Sequence, residues 1–341
     1  MKKKIRSAAV CLLAALAVIV LAGCAHEPLA LWNDRAPARN ALIAYVTAVT
    51  DERSPDYIPV EDRIAVFDFD GTLFLETDPT YFDWQLFEHR VLEDPAYKAT
   101  DEQLAAARAS RNGKFPKLDK DRERMVAEAY RGMTPEGFDA FVRKFMTTDQ
   151  PGFNGLKRGD AYYRPMLEVI AYLRRNGFTV YVISGTERLT MRPLTAVLRL
   201  PLAQIIGSDN TVVASGQNGK DALEYVFAEG DKLLLGGANL VKNLQMNKVS
   251  VIVREIGIQP VLAFGNTMSD ASMLNYTVSG NRYKALGFML LCDDLVREYG
   301  NAAKADQMLK NCRKYGWIPV SMRDDWKTIY GDGVTRKGTG K

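Results

Sequence analysis

The chain has 341 residues, of which 47% are hydrophobic and 25% charged, a composition that excludes a disordered chain and a polytopic membrane protein. Its formal charge of +4 comes entirely from Lys2, Lys3, Lys4 and Arg6, because residues 1–23 contain no acid and the rest of the chain is balanced. The body of the protein therefore has no basic excess that would favour nucleic acid as a partner.

The N-terminal residues have the pattern of an export signal. The four basic residues precede an unbroken apolar run at 8–22, which is short for a transmembrane helix. The run leads into Leu21-Ala22-Gly23-Cys24, which resembles the lipobox of bacterial lipoproteins. The resemblance implies that residues 1–23 are a cleaved signal peptide and that Cys24 carries lipid, anchoring the protein in the cell envelope, facing the periplasm or the exterior. An uncleaved N-terminal anchor is the alternative.

The next elements follow in chain order. Residues 24–59 predict a tether followed by a helix at 38–50, and a short buried strand covers 64–67. A helical region with no strand-like run extends to about residue 155. The remaining pattern predicts a helix, a strand, a β-rich stretch, a second helix and a third strand, at 165–176, 178–183, 205–240, 248–256 and 260–264.

Strands that alternate with helices around a helical insertion predict an α/β fold. We expect a doubly wound, Rossmann-like parallel sheet with a helical cap inserted after the first core strand. The predicted boundaries place the core at 60–77 and 158–330, the cap at 78–157 and a flexible tail at 331–341.

Polar side chains follow each of the three predicted core strands. Asp68-Phe69-Asp70-Gly71-Thr72 follows the first strand, Ser184-Gly185-Thr186 the second, and Gly265-Asn266-Thr267-Met268-Ser269-Asp270 the third. Lys248 begins the helix that leads into the third strand. Because open parallel sheets bind ligands beyond the carboxyl ends of their strands, we expect these groups to converge on one cleft.

This ordered set of motifs resembles that of the haloacid dehalogenase superfamily of phosphohydrolases, over residues 60–300. The interval between the first two motifs is similar to the helical cap of the first subclass, and the subgroup that the chain resembles is phosphoserine-phosphatase-like. Secreted bacterial members of this group have stretches similar to residues 78–83 and 316–326. The resemblance implies an enzyme of the same superfamily fold.

The resemblance also implies the roles of two aspartates. Asp68 would be the nucleophile, since a carboxylate that attacks phosphorus forms an aspartyl-phosphate and divides one difficult hydrolysis into two easier steps. Asp70 would protonate the leaving alkoxide and then deprotonate the attacking water. This role requires a raised pKa of Asp70, from burial and from the neighbouring carboxylate. An acid at this position favours phosphate-ester hydrolysis over dehalogenation.

Attack by a carboxylate on an anionic phosphoryl group requires a cation, and Mg²⁺ suits oxygen donors. The ligands implied are the Asp68 carboxylate, the Asp70 backbone carbonyl and the side chains of Asn266 and Asp270. Asp270 would bind the metal directly or through a water. Many relatives have Asp where this chain has Asn266, so we expect weaker metal affinity from a neutral amide ligand.

The phosphoryl group is expected to bind Ser184, the Gly185 N–H and Thr72, while Lys248 neutralises charge and holds Asp68. Lys242 is a competitor for the role of Lys248.

Substrate specificity is expected to come from the cap. Acids and aromatic residues follow the first motif, at Glu76, Asp78, Tyr81, Phe82, Trp84 and Phe87. They suit a cationic head group, although the competing interpretation makes the apolar members the buried face of the first cap helix. Arg192 is a candidate partner for a substrate anion, or else a surface residue.

Cysteine and histidine usage narrows the chemistry. Cys292 and Cys312 lie beyond the signal and form either a disulfide or two buried thiols. His26 and His89 are the two histidines of the chain, which excludes a His-rich zinc site and a Ser-His-Asp triad.

The function expected is Mg²⁺-dependent hydrolysis of small organic phosphate monoesters outside the cytoplasm. A phosphotransferase or phosphomutase is the alternative within the superfamily. A surface binding protein with little turnover is the alternative outside enzymes, and Asn266 is the feature that favours it.

Overall fold

The computed structural model describes residues 28–78 and 80–338. Its strands are β1 (Ile64–Phe67), β2 (Phe153–Asn154), β3 (Thr179–Glu187), β4 (Ile205–Ala214), β5 (Leu233–Val241), β6 (Leu262–Gly265), β7 (Leu286–Leu291), β8 (Ile318–Ser321) and β9 (Thr335–Arg336). Seven of them form a sheet of order β5-β4-β3-β1-β6-β7-β8, in which every pair is parallel except β4 with β5. Every residue of β1 is buried, as expected of a parallel strand covered on both faces. The predicted α/β core is confirmed.

The helices are α1 (Pro37–Thr50), α2 (Phe82–Leu92), α3 (Asp101–Ser110), α4 (Lys120–Glu128), α5 (Pro135–Met146), α6 (Arg164–Arg175), α7 (Arg188–Leu194), α8 (Met246–Val251), α9 (Ala271–Val278) and α10 (Ala302–Tyr315). Helices α2 to α5 lie between β1 and β3 and form the cap. Side chains suited to helix N-termini begin three of them: Thr100 and Gln103 make a reciprocal capping box at the start of α3, Asp119 caps α4, and Thr134 caps α5, whose first residue is proline.

The register of the central strands brings the sequence motifs together. Phe67, the last residue of β1, pairs with Val182 of β3 on one side and with Phe264 of β6 on the other. The residues that follow these positions therefore meet at the carboxyl edge of the sheet. The rings of Phe67 and Phe264 stack with centroids 4.3 Å apart, which packs β1 against β6 next to this edge.

The β-rich stretch predicted at 205–240 is an antiparallel hairpin of β4 and β5. The hairpin also contacts the cap through the backbone: the Gly132 N–H donates to the Leu235 carbonyl at 2.9 Å, and the Leu235 N–H donates to the Met133 carbonyl at 2.8 Å. The carboxyl edge of the sheet is thus covered by cap helices and flanked by the hairpin.

Two predictions about the chain ends are wrong. The tether predicted from residue 24 ends by Leu29, because Leu29 and Trp32 are buried and the Trp32 ring packs edge-on against Trp326 at 5.8 Å. The tail predicted to be flexible from residue 331 contains β9, which pairs antiparallel with β2. Neither packing leaves a local sequence signal, since both depend on partners distant in the chain. The sequence pattern also did not indicate β2, β7, β8 or α10.

Other predictions concern the termini and the thiols. Cys292 and Cys312 are unpaired thiols in the structure, so the disulfide alternative is not supported, and Cys312 is buried whereas Cys292 is half-buried. The predicted signal and the lipidation site at Cys24 lie outside the described residues. No helix within residues 28–78 and 80–338 is long and apolar enough to cross a membrane.

Candidate active site

A buried ammonium holds two aspartates at the carboxyl edge of the sheet. Lys248 on α8 is 0% exposed, and its Nζ donates to Asp68 Oδ1 at 2.5 Å and to Asp270 Oδ1 at 2.6 Å. Asp68 follows β1, where its own N–H donates to the Phe264 carbonyl at 2.9 Å. Lys248 therefore has the contact predicted for it. Lys242, the competitor, pairs with Glu123 at 2.9 Å instead.

The side chain of Asp270 does not have the free oxygens expected of a direct metal ligand, which is one of the two roles predicted for it. It is 0% exposed, and its Oδ2 accepts from the backbone N–H groups of Asn266 and Thr267 at 3.0 and 3.1 Å, while Lys248 occupies Oδ1. Both carboxylate oxygens are thus already bonded. The arrangement suits a residue that orients Lys248 and the loop carrying Asn266, and the prediction of Asp270 as a direct ligand is not supported by this geometry.

The charged groups of this cluster shift one another's pKa. Burial, and next the Asp270 carboxylate, raise the pKa of Asp68, while Lys248 opposes this shift. Burial alone would lower the pKa of Lys248, but Asp270 and Asp68 outweigh it, so the pKa of Lys248 is raised. The lysine therefore stays charged, and an adjacent charged ammonium favours the carboxylate form of Asp68 that a nucleophile needs.

Asp70 has the environment of a protonated acid. Burial, and next the Asp83 carboxylate, raise the pKa of Asp70 well above its ordinary value. Its Oδ2 accepts from Thr186 Oγ1 at 2.6 Å and from Ser184 Oγ at 3.5 Å. Its Oδ1 is buried and has no hydrogen-bond partner among the described residues. Asp70 thus presents a free carboxyl oxygen in the cleft that can carry a proton.

Glycines permit two close approaches in the cleft. Gly71 has φ +75°, and a Cβ there would lie 1.8 Å from Asn266 Nδ2. A Cβ at Gly185 would lie 2.5 Å from Leu244 Cδ2. Glycine at position 71 therefore lets the Asn266 amide approach the backbone of the first motif.

The cleft has a volume of about 360 Å³, within the range of small-molecule sites. It is lined by Asp68, Asp70, Glu76, Tyr81, Asp83, Leu118, Arg122, Ser184, Gly185, Thr186, Lys242, Leu244, Asn266, Thr267 and Ser269. The structure thus brings the predicted Asp68, Asp70, Ser184, Gly185, Asn266 and Glu76 together. Thr72 lies beneath the cleft, buried, with its Oγ1 3.4 Å from Asp68 Oδ2.

The donors present fit a hard divalent cation. Asp68 Oδ2 has a single long contact from Thr72, and the buried Asn266 side chain lines the cleft beside it. Carboxylate and amide oxygens are the ligands that Mg²⁺ prefers. Within the described ranges no cluster of three His, Cys, Asp or Glu side chains is arranged to hold a metal, as expected where Asn266 replaces an acid and Asp270 is engaged elsewhere.

Three predicted substrate-binding residues do not line the cleft: the buried Thr72, Arg192 and Asp78. Arg192 lies on α7 and is not among the described residues that line the cleft. The part of the chain near it that does reach the cleft is Ser184-Gly185-Thr186, at the end of β3. Asp78 accepts from the Gly152 N–H at 2.6 Å and so joins the two segments that connect the cap to the core. Phe82, Trp84 and Phe87 are buried, which supports the interpretation of a core-facing first cap helix.

Thr186, Asp83 and Arg122 line the cleft, but the sequence pattern did not indicate a role for them. Thr186 follows Ser184 in the second motif and makes the shorter contact with Asp70. Asp83 ends the stretch 78–83 that resembles secreted relatives, and Arg122 lies in the charged segment of α4, where its guanidinium stacks on Trp84 at 4.7 Å. Both cap segments stand out in the sequence by their charged or aromatic residues. Which of their side chains face the cleft depends on how the helices are rotated, and this cannot be seen in the sequence.

Comparison with known proteins agrees with this geometry. The family model of the haloacid dehalogenase-like hydrolases matches residues 65–275, well over half of the chain. The chain belongs to this family. A search of the curated proteins finds no match for this hydrolase.

Among solved structures, this hydrolase is similar to cytosolic 5'-nucleotidase IIIB bound to cytidine, with a TM-score of 0.50 and 14% identity over 87% of this chain and 90% of the other. It is also similar to a protein of unknown function from Bordetella pertussis Tohama I, with a TM-score of 0.47 and 13% identity over 76% and 97% of the two chains. A substrate-bound phosphoserine phosphatase gives a TM-score of 0.38 and 16% identity over 74% and 98%. At these identities the likeness concerns the fold alone.

Proposed function

We propose that the protein is a Mg²⁺-dependent phosphomonoesterase that acts on small organic phosphates through an aspartyl-phosphate. The observation that carries the proposal is the pairing of two buried aspartates with different partners in one cleft. The pKa of each is raised by burial, but Asp68 bonds to a charged lysine, which favours its carboxylate form, whereas the Asp70 side chain accepts from two hydroxyl groups and keeps one oxygen without a partner among the described residues. Two acids whose environments differ in this way suit a nucleophile and a general acid.

In the first step, a carboxylate oxygen of Asp68 forms a bond to phosphorus as the bond from phosphorus to the ester oxygen breaks. The departing alkoxide takes the proton of Asp70, so an alcohol leaves and Asp70 becomes a carboxylate. Thr186 and Ser184 hold the other oxygen of Asp70 and so keep the acid aimed into the cleft.

In the second step, Asp70 removes a proton from a water that attacks phosphorus, and the bond to Asp68 breaks. Phosphate leaves, Asp68 regains its carboxylate, and Asp70 is protonated again. Lys248 supports both steps, because its charge stabilises the Asp68 carboxylate and the negative charge of the phosphoryl group beside it.

The metal would be held by the Asp68 carboxylate, the Asp70 backbone carbonyl and the Asn266 side chain. When bound, Mg²⁺ supplies positive charge that offsets the repulsion between the phosphoryl group and Asp68. The excess of buried or cleft-facing acids, Asp68, Asp70, Glu76 and Asp83, over the cations that contact them supports this role.

Hydrolysis of an aryl phosphate and of a panel of small phosphate esters tests the proposal. We expect release of phosphate by the mature protein that depends on Mg²⁺ and is lost in Asp68→Asn. Full activity of Asp68→Asn would contradict the mechanism. Transfer of the phosphoryl group to an added alcohol in preference to water would favour the phosphotransferase alternative, and metal binding without turnover would favour a binding protein.

The proposed location is the bacterial cell envelope, with the enzyme attached to a membrane through lipid on Cys24. The support for it is the N-terminal sequence, in which the basic residues, the apolar run and Leu21-Ala22-Gly23-Cys24 follow in order. Labelling with a radioactive fatty acid tests it, since Cys24→Ser should abolish incorporation.

A further inference from the structure

The chain enters its folded body a short distance after the proposed lipid attachment site. Pro28, the first described residue, comes four residues after Cys24, so the two are at most about 14 Å apart. Trp32 is buried, and its ring packs edge-on against Trp326 with centroids 5.8 Å apart. A lipid on Cys24 would therefore hold the surface around this entry point close to a bilayer.

This entry point lies at the carboxyl edge of the sheet. Residues 322–327 follow β8 and residues 292–300 follow β7, so both loops leave the carboxyl ends of parallel strands. Arg297 joins the two loops, since its guanidinium donates to the carbonyls of Met322 at 2.7 Å and Trp326 at 3.0 Å. The chain thus enters the fold on the same edge of the sheet as the cleft, next to the 292–300 loop.

The 292–300 loop presents two apolar side chains to solvent beside the entry point. Leu295 is 51% exposed and Val296 is 81% exposed. The buried Asp294 carboxylate fixes the backbone of this loop, because its Oδ1 accepts from the N–H groups of Val296 and Arg297 at 2.9 and 2.7 Å. A loop fixed in this way loses little conformational freedom when it meets another surface.

Three basic side chains near the loop are paired with acids. The ion pairs are Arg297 with Asp294 at 2.5 Å, Arg323 with Asp324 at 2.7 Å and Lys327 with Asp34 at 3.4 Å. These cations therefore add little net charge that would attract an anionic lipid. The contact that the loop offers to a bilayer is apolar, and it depends on the area of apolar side chain that leaves water.

We propose that Leu295 and Val296 enter the interface of the bilayer that carries the lipid anchor, so that the carboxyl edge of the sheet faces the membrane. The inference goes beyond the proposed phosphatase function and rests on the proposed location, because it takes the anchor to be at Cys24. Exposed apolar side chains by themselves are common on protein surfaces. This pair differs because it lies on a fixed loop beside the point where the anchored chain enters the fold. The anchor attaches the protein at one point, and the pair adds a second contact that orients it.

Quenching of tryptophan fluorescence by brominated lipid tests this contact. The mature protein, which begins at Cys24, is coupled through that thiol to a maleimide lipid in vesicles of neutral phosphatidylcholine. The protein carries Cys292→Ser, because Cys292 is half-buried and could react, whereas Cys312 is buried. The coupling requires no acylation in the cell, so it separates the contact from the proposed location.

Two variants report on opposite edges of the sheet. Leu295→Trp places an indole on the 292–300 loop, and Val60→Trp is the matched control, because Val60 is 54% exposed and precedes β1 at the amino edge. The tryptophans already present are buried, so the added indole is the one exposed to solvent among the described residues. Bromine on the acyl chains should quench the added emission in Leu295→Trp and leave it unchanged in Val60→Trp.

A further substitution tests the apolar pair itself. Adding Val296→Asp to the Leu295→Trp protein should lower the ratio of contacting to free protein about tenfold or more, measured as a loss of quenching. No quenching in Leu295→Trp, or equal quenching in Leu295→Trp and Val60→Trp, would overturn the inference. Quenching that survives Val296→Asp, or that appears only with anionic lipid, would overturn the apolar contact. Quenching of the coupled protein, together with no fatty-acid incorporation at Cys24 in cells, would refute the proposed location and not this contact.

Discussion

Replacement of Lys248 by methionine tests the energetics of the buried cluster. The side chains of Lys248 and Asp270 are 0% exposed and that of Asp68 is 9% exposed, so removal of the ammonium leaves two carboxylates close together in a site with little water. Removal of one partner from a buried ion pair costs about 3–5 kcal/mol. We therefore expect Lys248→Met to lower the free energy of unfolding by about that amount at neutral pH, and to abolish turnover.

Urea denaturation in the presence of a chelator measures this loss without compensation by a metal. Lys284→Met is the matched control, because Lys284 pairs with Asp56 at 2.8 Å with side chains 53% and 35% exposed, and such pairs contribute about 1 kcal/mol or less. In Lys248→Met the folded state should hold protons on its carboxylates more tightly than the unfolded state, so the deficit should shrink as the pH falls. A loss no larger than that of Lys284→Met would refute the reasoning.

Three further predictions concern the metal and a buried acid. Gly71→Ala places a Cβ 1.8 Å from Asn266 Nδ2 and should weaken Mg²⁺ binding about tenfold or more by calorimetry. Gly132→Ala, also at positive φ but with open space around it, should bind the metal as the wild-type protein does. Asn266→Asp adds a negative charge and should strengthen Mg²⁺ binding about tenfold or more, and unchanged affinity would exclude Asn266 as a ligand. Burial raises the pKa of Glu298 from 4.5 to about 7, so the folded state binds this proton more tightly and stability should fall as the pH rises between those values. Glu298→Gln should remove that fall, about 3 kcal/mol at most, in denaturation curves measured across this range.

The core of the fold and the centre of the site could be predicted because their signals are local. A fully apolar strand such as β1 that stops at Asp68 indicates both a parallel sheet and the edge at which a ligand binds. Ser184 and Asn266 were predicted in the same way, because each follows a predicted core strand. Lys248 was distinguished from Lys242 by its place before the third strand, and the structure gives Lys248 the contact with Asp68.

The remaining features depend on packing that the sequence does not encode locally. Asp78 and Asp83 lie five residues apart in one acidic and aromatic stretch, yet Asp78 bonds to Gly152 whereas Asp83 lines the cleft. Asp83 lies on α2 and Asp78 on the loop before it, so the packing of the cap decides which of them faces the cleft. The family resemblance implied that Asp270 binds the metal directly or through a water, but Lys248 and two backbone N–H groups occupy its oxygens. The packing of Trp32 against Trp326 likewise joins residues far apart in the chain.

Trapping of the phosphorylated enzyme tests the central claim most directly. The mature protein is mixed with Mg²⁺ and an aryl phosphate, quenched in acid within a turnover and digested, and the peptides are analysed by mass spectrometry. We expect a phosphoryl group on Asp68, more of it in Asp70→Asn because breakdown of the intermediate loses its base, and none in Asp68→Asn. A phosphoryl group on another residue, or turnover with no phosphorylated peptide in either the wild-type protein or Asp70→Asn, would contradict the account.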